Sequence, residues 1–207
     1  MATKLGQYNG ALDFLGTQAL LSLTEEGKER RALDRVWDES TRYLLSQAAW
    51  NFAIRASEFS PDTAVSALFG FDYAFERPTD YQRLVTISDN ATFTNDFEEY
   101  ETEGRYWFAN VPFLYVRYVS DDENWGYDLT AWPESFALAH QAWLAFKSGL
   151  PITSDKGNRN DLFSLSGRLL TKSKTLDALE ERVKRKAPGG WTSARFGTHR
   201  SSRDNRA

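Results

Sequence analysis

The chain has 207 residues, 41% hydrophobic and 26% charged, with a net charge of −4. That is room for one domain with an insertion or two small ones, and it is too apolar for wholesale disorder. Cysteine is absent, which excludes disulfides, thiol nucleophiles and cysteine zinc sites and fits assembly in a reducing cytoplasm.

No apolar run approaches the length that crosses a bilayer, and Met1-Ala2-Thr3-Lys4 lacks the apolar stretch of a secretory signal. Without secretion, the Asn90-Ala91-Thr92 glycosylation triplet reads as chance. The acidic balance argues against a dedicated nucleic-acid binder. The 7 Trp, 9 Tyr and 14 Phe build a generous core first, and tilt the reading toward a protein interface second.

In chain order, Tyr8 to Leu23 predicts a short helix, because Leu12, Leu15, Ala19, Leu20 and Leu23 make one apolar face, and Gly27 breaks it. A longer helix is predicted from about Lys28 to Phe52. Its stripe is Leu33, Val36, Trp37, Leu44, Leu45, Ala48 and Phe52, and Asp38 with Arg42 is an ion pair at helical spacing. A short extended piece up to Phe59 precedes the break at Pro61-Asp62.

The middle third changes character. Phe71–Phe75, Tyr81–Ile87, Tyr106–Phe108 and Phe113–Val119 are aromatic and β-branched, and turn signals at Pro78, Asp89-Asn90, Gly104 and Pro112 divide them. The spacing leaves no room for crossover helices, so an antiparallel sheet is expected. Helix returns at Trp132-Pro133-Glu134 and runs to Ser148-Gly149. A last helix is predicted over Asn158 to Lys186, with Leu162, Leu165, Leu169, Leu176, Leu179 and Val183 as its stripe. The fold class is α+β, a bundle of about four helices with an inserted small antiparallel β-sheet. The expected parts are residues 1–60 and 121–188 for the helices, 61–120 for the β insertion, and 189–207 for an extended tail.

After Pro188-Gly189-Gly190 the composition shifts. Arg195, Arg200, Arg203 and Arg206 face a single acid, Asp204, among small polar residues. Such a segment cannot build a core of its own and is expected to order on a partner. Trp191 and Phe196 would be its apolar anchors, with the arginines and His199 as pairing groups. Arg182, Lys184, Arg185 and Lys186 are favoured at a helix C-terminus by the macrodipole, and the tail arginines extend them into a concentrated positive end. That end suits an acidic protein surface. Phosphate binding is the alternative, although the aromatic interleaving of a single-strand platform is missing.

The residues offer little catalytic chemistry. His140 reads as a half-buried helix residue with one satisfied ring nitrogen, and His199 as a tail residue, with no metal-binding spacing between them. Gly27-Lys28 lacks the upstream glycine of a phosphate loop and reads as a helix start. Asp96, Glu98, Glu99, Glu101 and Glu103 form the one acidic run worth weighing. Glu99, Glu101 and Glu103 would share a face of an extended segment and could meet a hard cation, but a solvated hairpin face is the simpler reading. The chain is therefore expected to be no enzyme and to need no cofactor or metal.

The order of parts resembles the tail tubular protein A family of short-tailed phages, the head–tail adaptor or head-completion proteins. The resembling stretches are Asn9–Leu12 through Leu20–Glu25, Arg30–Leu33 leading to Trp37, and Gln47–Phe52. Gly70–Phe75 with Pro78 and Tyr81–Leu84 follow, then Leu114–Tyr118, Trp132–Phe136 and Trp191–Arg195. They span most of the chain, and their order rather than any strict signature carries the likeness. The resemblance implies a dodecameric ring of this chain beneath the portal protein, with a helical bundle, a β region and a C-terminal segment reaching up to the portal. It implies a lower face for the next tail component, a nozzle or tail-tube protein. DNA would pass through the lumen without sequence-specific binding. The place of action would be the virion neck, after assembly in the host cytoplasm and with no membrane involved. The rival readings are a small nucleic-acid-binding module using the basic end, and a metal-dependent hydrolase using the Glu98–Glu103 region.

Overall fold

The computed structural model describes residues 1–67, 70–94, 97–155 and 157–180. Helix α1 (Lys4–Leu15) opens on Thr3, whose hydroxyl accepts the Gly6 N–H at 3.1 Å. It closes at Gly16, which takes the left-handed conformation (φ 65°) that a Cβ would strain. The predicted helix to Leu23 therefore stops eight residues short. Leucines beyond Gly16 still contribute: the Asn9 side chain accepts the Leu20 N–H at 2.8 Å and donates to its carbonyl at 3.1 Å. That clamp buries Leu20 without helix.

Helix α2 (Lys28–Ser46) starts at Gly27, the helix-start role read from sequence. It ends before Trp50 rather than at Phe52, because the Trp50 indole N–H donates to the Leu44 carbonyl at 2.8 Å and caps the last turn. The expected Asp38–Arg42 pair gives way to longer-range partners. Arg42 bonds Asp121 at 2.9 Å, and Asp38 accepts from the Tyr127 hydroxyl at 3.1 Å. Arg30 with Asp34, at 2.6 Å, is the ion pair that forms at helical spacing.

Two antiparallel sheets follow, where sequence suggested one. The first has strand order β1-β6-β3, from β1 (Ile54–Phe59), β6 (Leu114–Ser120) and β3 (Tyr81–Ser88). The second has order β2-β5-β4, from β2 (Tyr73–Glu76), β5 (Tyr106–Ala109) and β4 (Tyr100–Glu103). The extended piece before Pro61 is thus a strand, running Ile54 opposite Val119 to Phe59 opposite Leu114. Phe75, Trp107 and Ala109 of the second sheet pack with Ile87, Leu114, Val116 and Tyr118 of the first, and these residues make a core of their own.

Helix α3 (Glu134–Thr153) begins after Pro133 and continues past Gly149, with Pro151 accommodated in its last turn. Helix α4 (Gly157–Glu180) folds back along it. α3 is the central helix, packed against α1, α2 and α4. Gly10 on α1 lies against the side-chain amide of Gln141, which a Cβ there would push aside. The main core joins Tyr8, Leu12, Leu33, Trp37, Leu44 and Trp50 to Trp132, Phe136 and Leu144. At typical transfer values each such large side chain stabilises the fold by about 1.5–3 kcal/mol. Four helices and two small antiparallel sheets among the described residues make the fold α+β.

Candidate interaction surface

The C-terminal half of α4 carries the feature that the core does not use. Leu169, Lys172, Leu176 and Leu179 recur at spacings of three, four and three, which places them on one helical face. With Glu134, Ser135 and Leu138 of α3 and Glu180 they line an open groove of about 570 Å³. Leu179 is 76% exposed, Leu176 41% and Leu138 40%. The predicted α4 stripe is therefore split: Leu162 is buried, Leu165 and Leu169 are half-buried, and Leu176 and Leu179 face outward. Val183 lies outside the described residues.

Small polar residues explain why. The buried positions of α4 are Leu162, Ser166 and Ser173. Ser166 donates to its own helix at Phe163, and the Ser173 hydroxyl donates to that of Ser135 at 3.3 Å. With hydroxyls satisfied within α4 or by Ser135, these small side chains take the buried positions of α4 and leave Leu176 and Leu179 exposed. Asp177 fixes this end. Its carboxylate accepts the Asn51 N–H at 3.1 Å, and the Asn51 amide donates to its carbonyl at 2.9 Å. Close by, Lys174 has its pKa lowered by burial and by the charge of Arg83.

His140 is fully buried rather than half-buried, and both ring nitrogens have partners. Nδ1 lies 3.1 Å from Gln7 Oε1 on α1, and Nε2 lies 3.1 Å from Thr41 Oγ1 on α2. Trp37 and Trp132 each meet its ring edge-on with centroids 4.9 Å away. Burial lowers its pKa from 6.5 to about 3. The neutral ring donates its Nδ1–H to Gln7 Oε1. The single Thr41 hydroxyl proton is then shared between His140 Nε2 and the Trp37 carbonyl, 3.0 Å away. The residue pins three helices together.

A second polar hub joins bundle to sheet. Asp80 accepts from Arg55 at 2.9 Å, from Tyr118 at 3.2 Å and from Ser120 at 2.5 Å. Burial, and next the Asp80 charge, raise the Tyr118 phenol to about 12. Its neighbour Asp121 receives Arg42 of α2 and Gln82 of β3 at 2.9 Å each. Sequence reasoning missed this hub, because its members are 25 to 79 residues apart.

Among the predicted site residues, Glu98, Glu99, Glu101 and Glu103 are exposed, the last two on the edge strand β4. Asp96 lies outside the described residues. Among the described residues no group of three or more His, Asp or Glu side chains is placed to hold a metal ion. No described helix is long and apolar enough to cross a membrane. The basic helix end (Arg182, Lys184, Arg185, Lys186) and the tail residues Trp191, Arg195, Phe196, His199, Arg200, Arg203 and Arg206 lie outside the described residues. The chain matches no protein-family model and no curated protein.

Proposed function

We propose that this chain is a structural assembly subunit, a phage head–tail adaptor that forms a ring, expected to be dodecameric, beneath the portal. The observation that supports it is the open leucine face of α3 and α4, an apolar surface that ends where the basic segment begins. The helical bundle and antiparallel β region are the parts that the likeness to tail tubular protein A implies. A ring needs a heterologous interface that closes by rotation, with two different surfaces on each subunit. In this reading the segment from Trp191 onward docks on the portal, and the opposite face receives the next tail component.

The test is attachment. Purified chain mixed with portal rings should co-sediment at a fixed ratio, and a chain lacking residues 191–207 should stay folded yet remain in the supernatant. Undiminished co-sedimentation of the truncated chain would remove the portal-docking role. The basic end supports a second reading, a small nucleic-acid-binding module, which predicts tight filter binding to DNA that weakens steeply with salt.

A further inference from the structure

The α3–α4 groove and the charge distribution along the chain point to the same occupant. Residues 181–207 hold eight Lys or Arg against two acids. Of the 25 basic and 29 acidic residues in the chain, that leaves 17 and 27 in residues 1–180, a net charge of −10 for the body against +6 for the end. Opposite charges of this size on one chain attract, most strongly at low salt. The groove supplies the apolar half of a binding site. Leu138, Leu169, Leu176 and Leu179 line it, and Glu134 and Glu180 stand at its rim with Lys172. Leu179 and Glu180 are also the last residues before the basic segment.

We infer that the Trp191–Phe196 stretch docks in the α3–α4 groove of its own chain, covering the leucine face while no other partner holds it. Reach permits it. The eleven residues from Glu180 to Trp191 can span up to roughly 36 Å when extended. The groove runs along α4 from Leu169 to Leu179, roughly 15 Å at helical rise. Pro188-Gly189-Gly190 supplies a helix stop and a free turn before the anchor. Trp191 and Phe196 are the aromatic residues of the segment, and such rings in a leucine-lined groove form the centre of a docking site. The arginines then lie over the acidic body. A partner that captures the basic end must first displace it, so capture and exposure of the leucine face become one event. The inference stands apart from the adaptor reading: failure to bind portal rings would leave it untouched.

The absence of cysteine makes the test direct. The full-length chain carrying Lys172→Cys in the groove and Thr192→Cys beside the anchor is treated with a short bis-maleimide at low protein concentration. The expected product is a crosslink within one chain, located by peptide mapping and running at monomer mass under denaturing conditions. Adding Trp191→Ala should lower its yield on the order of tenfold, the ratio that about 1.4 kcal/mol of lost anchoring gives. Moving the first cysteine to Arg31, exposed on α2, should abolish it. Dimer-mass product would show that the groove takes a second copy and overturn the inference. So would equal yields from the Lys172 and Arg31 positions, or no crosslink at all.

Discussion

Replacing His140 by glutamine should flatten the acid limb of the stability curve. The ring is fully buried among Trp37, Trp132 and Phe136, and burial holds its pKa near 3 instead of 6.5. Between those two values the unfolded chain binds a proton that the folded chain refuses. Stability is therefore fully present above pH 6.5 and falls as pH drops toward 3, by about 1.4 kcal/mol per pH unit. From pH 8 to pH 4.5 the histidine alone removes about 3 kcal/mol, a large part of the stability of a typical domain. His140→Gln loses ring packing and costs about 2–4 kcal/mol at pH 8, but it cannot titrate. The gap between the two proteins should thus close as pH falls, while carboxylate titrations common to both cancel. Urea unfolding followed by far-ultraviolet circular dichroism across this range measures the gap. Parallel curves for the two proteins would refute the buried, neutral histidine.

Other variants separate core from surface. In the chain lacking residues 191–207, where no tail can cover the groove, Leu162→Ala should cost about 2–5 kcal/mol, whereas Leu179→Ser should change stability by no more than about 0.5 kcal/mol, both read from urea midpoints. Similar losses at the two positions would place the α4 leucine face in the core after all. Asp80→Asn leaves the buried partners Tyr118 and Ser120 and the cation of Arg55 with a weaker acceptor, and should cost about 2–3 kcal/mol. It should also lower the Tyr118 titration from about 12, visible in near-ultraviolet absorbance at alkaline pH. Gly16→Ala meets no steric neighbour but forces an alanine to φ 65°, so a thermal melt should show a loss of about 1 kcal/mol.

What could be read from sequence divides along the range of the interactions. Helix starts at Lys28 and Glu134 were legible because caps and prolines act within one turn. Antiparallel strands were legible from turn residues between β-branched runs. Their sorting into two sheets was not, because β1 finds β6 across more than fifty residues and nothing local specifies that pairing. The same reason hid the second nitrogen partner of His140, since Gln7 lies 133 positions away.

Helix α4 shows the deeper limit of the pattern. A leucine at every third or fourth position identifies an apolar face, yet it does not say what covers that face. Here Ser166 and Ser173 turn toward the bundle and Leu176 and Leu179 turn away. Burying two serines satisfied by their own helix or by Ser135 costs little. Leaving Leu179 76% and Leu176 41% exposed forfeits roughly 2–4 kcal/mol of available transfer energy, and that sum remains for whatever binds there. The exposed half of the stripe is the half nearest the basic segment. Leu176 and Leu179 are the exposed leucines of α4. Their concentration beside Glu180 is what turns an ordinary amphipathic helix into an argument for a docking surface.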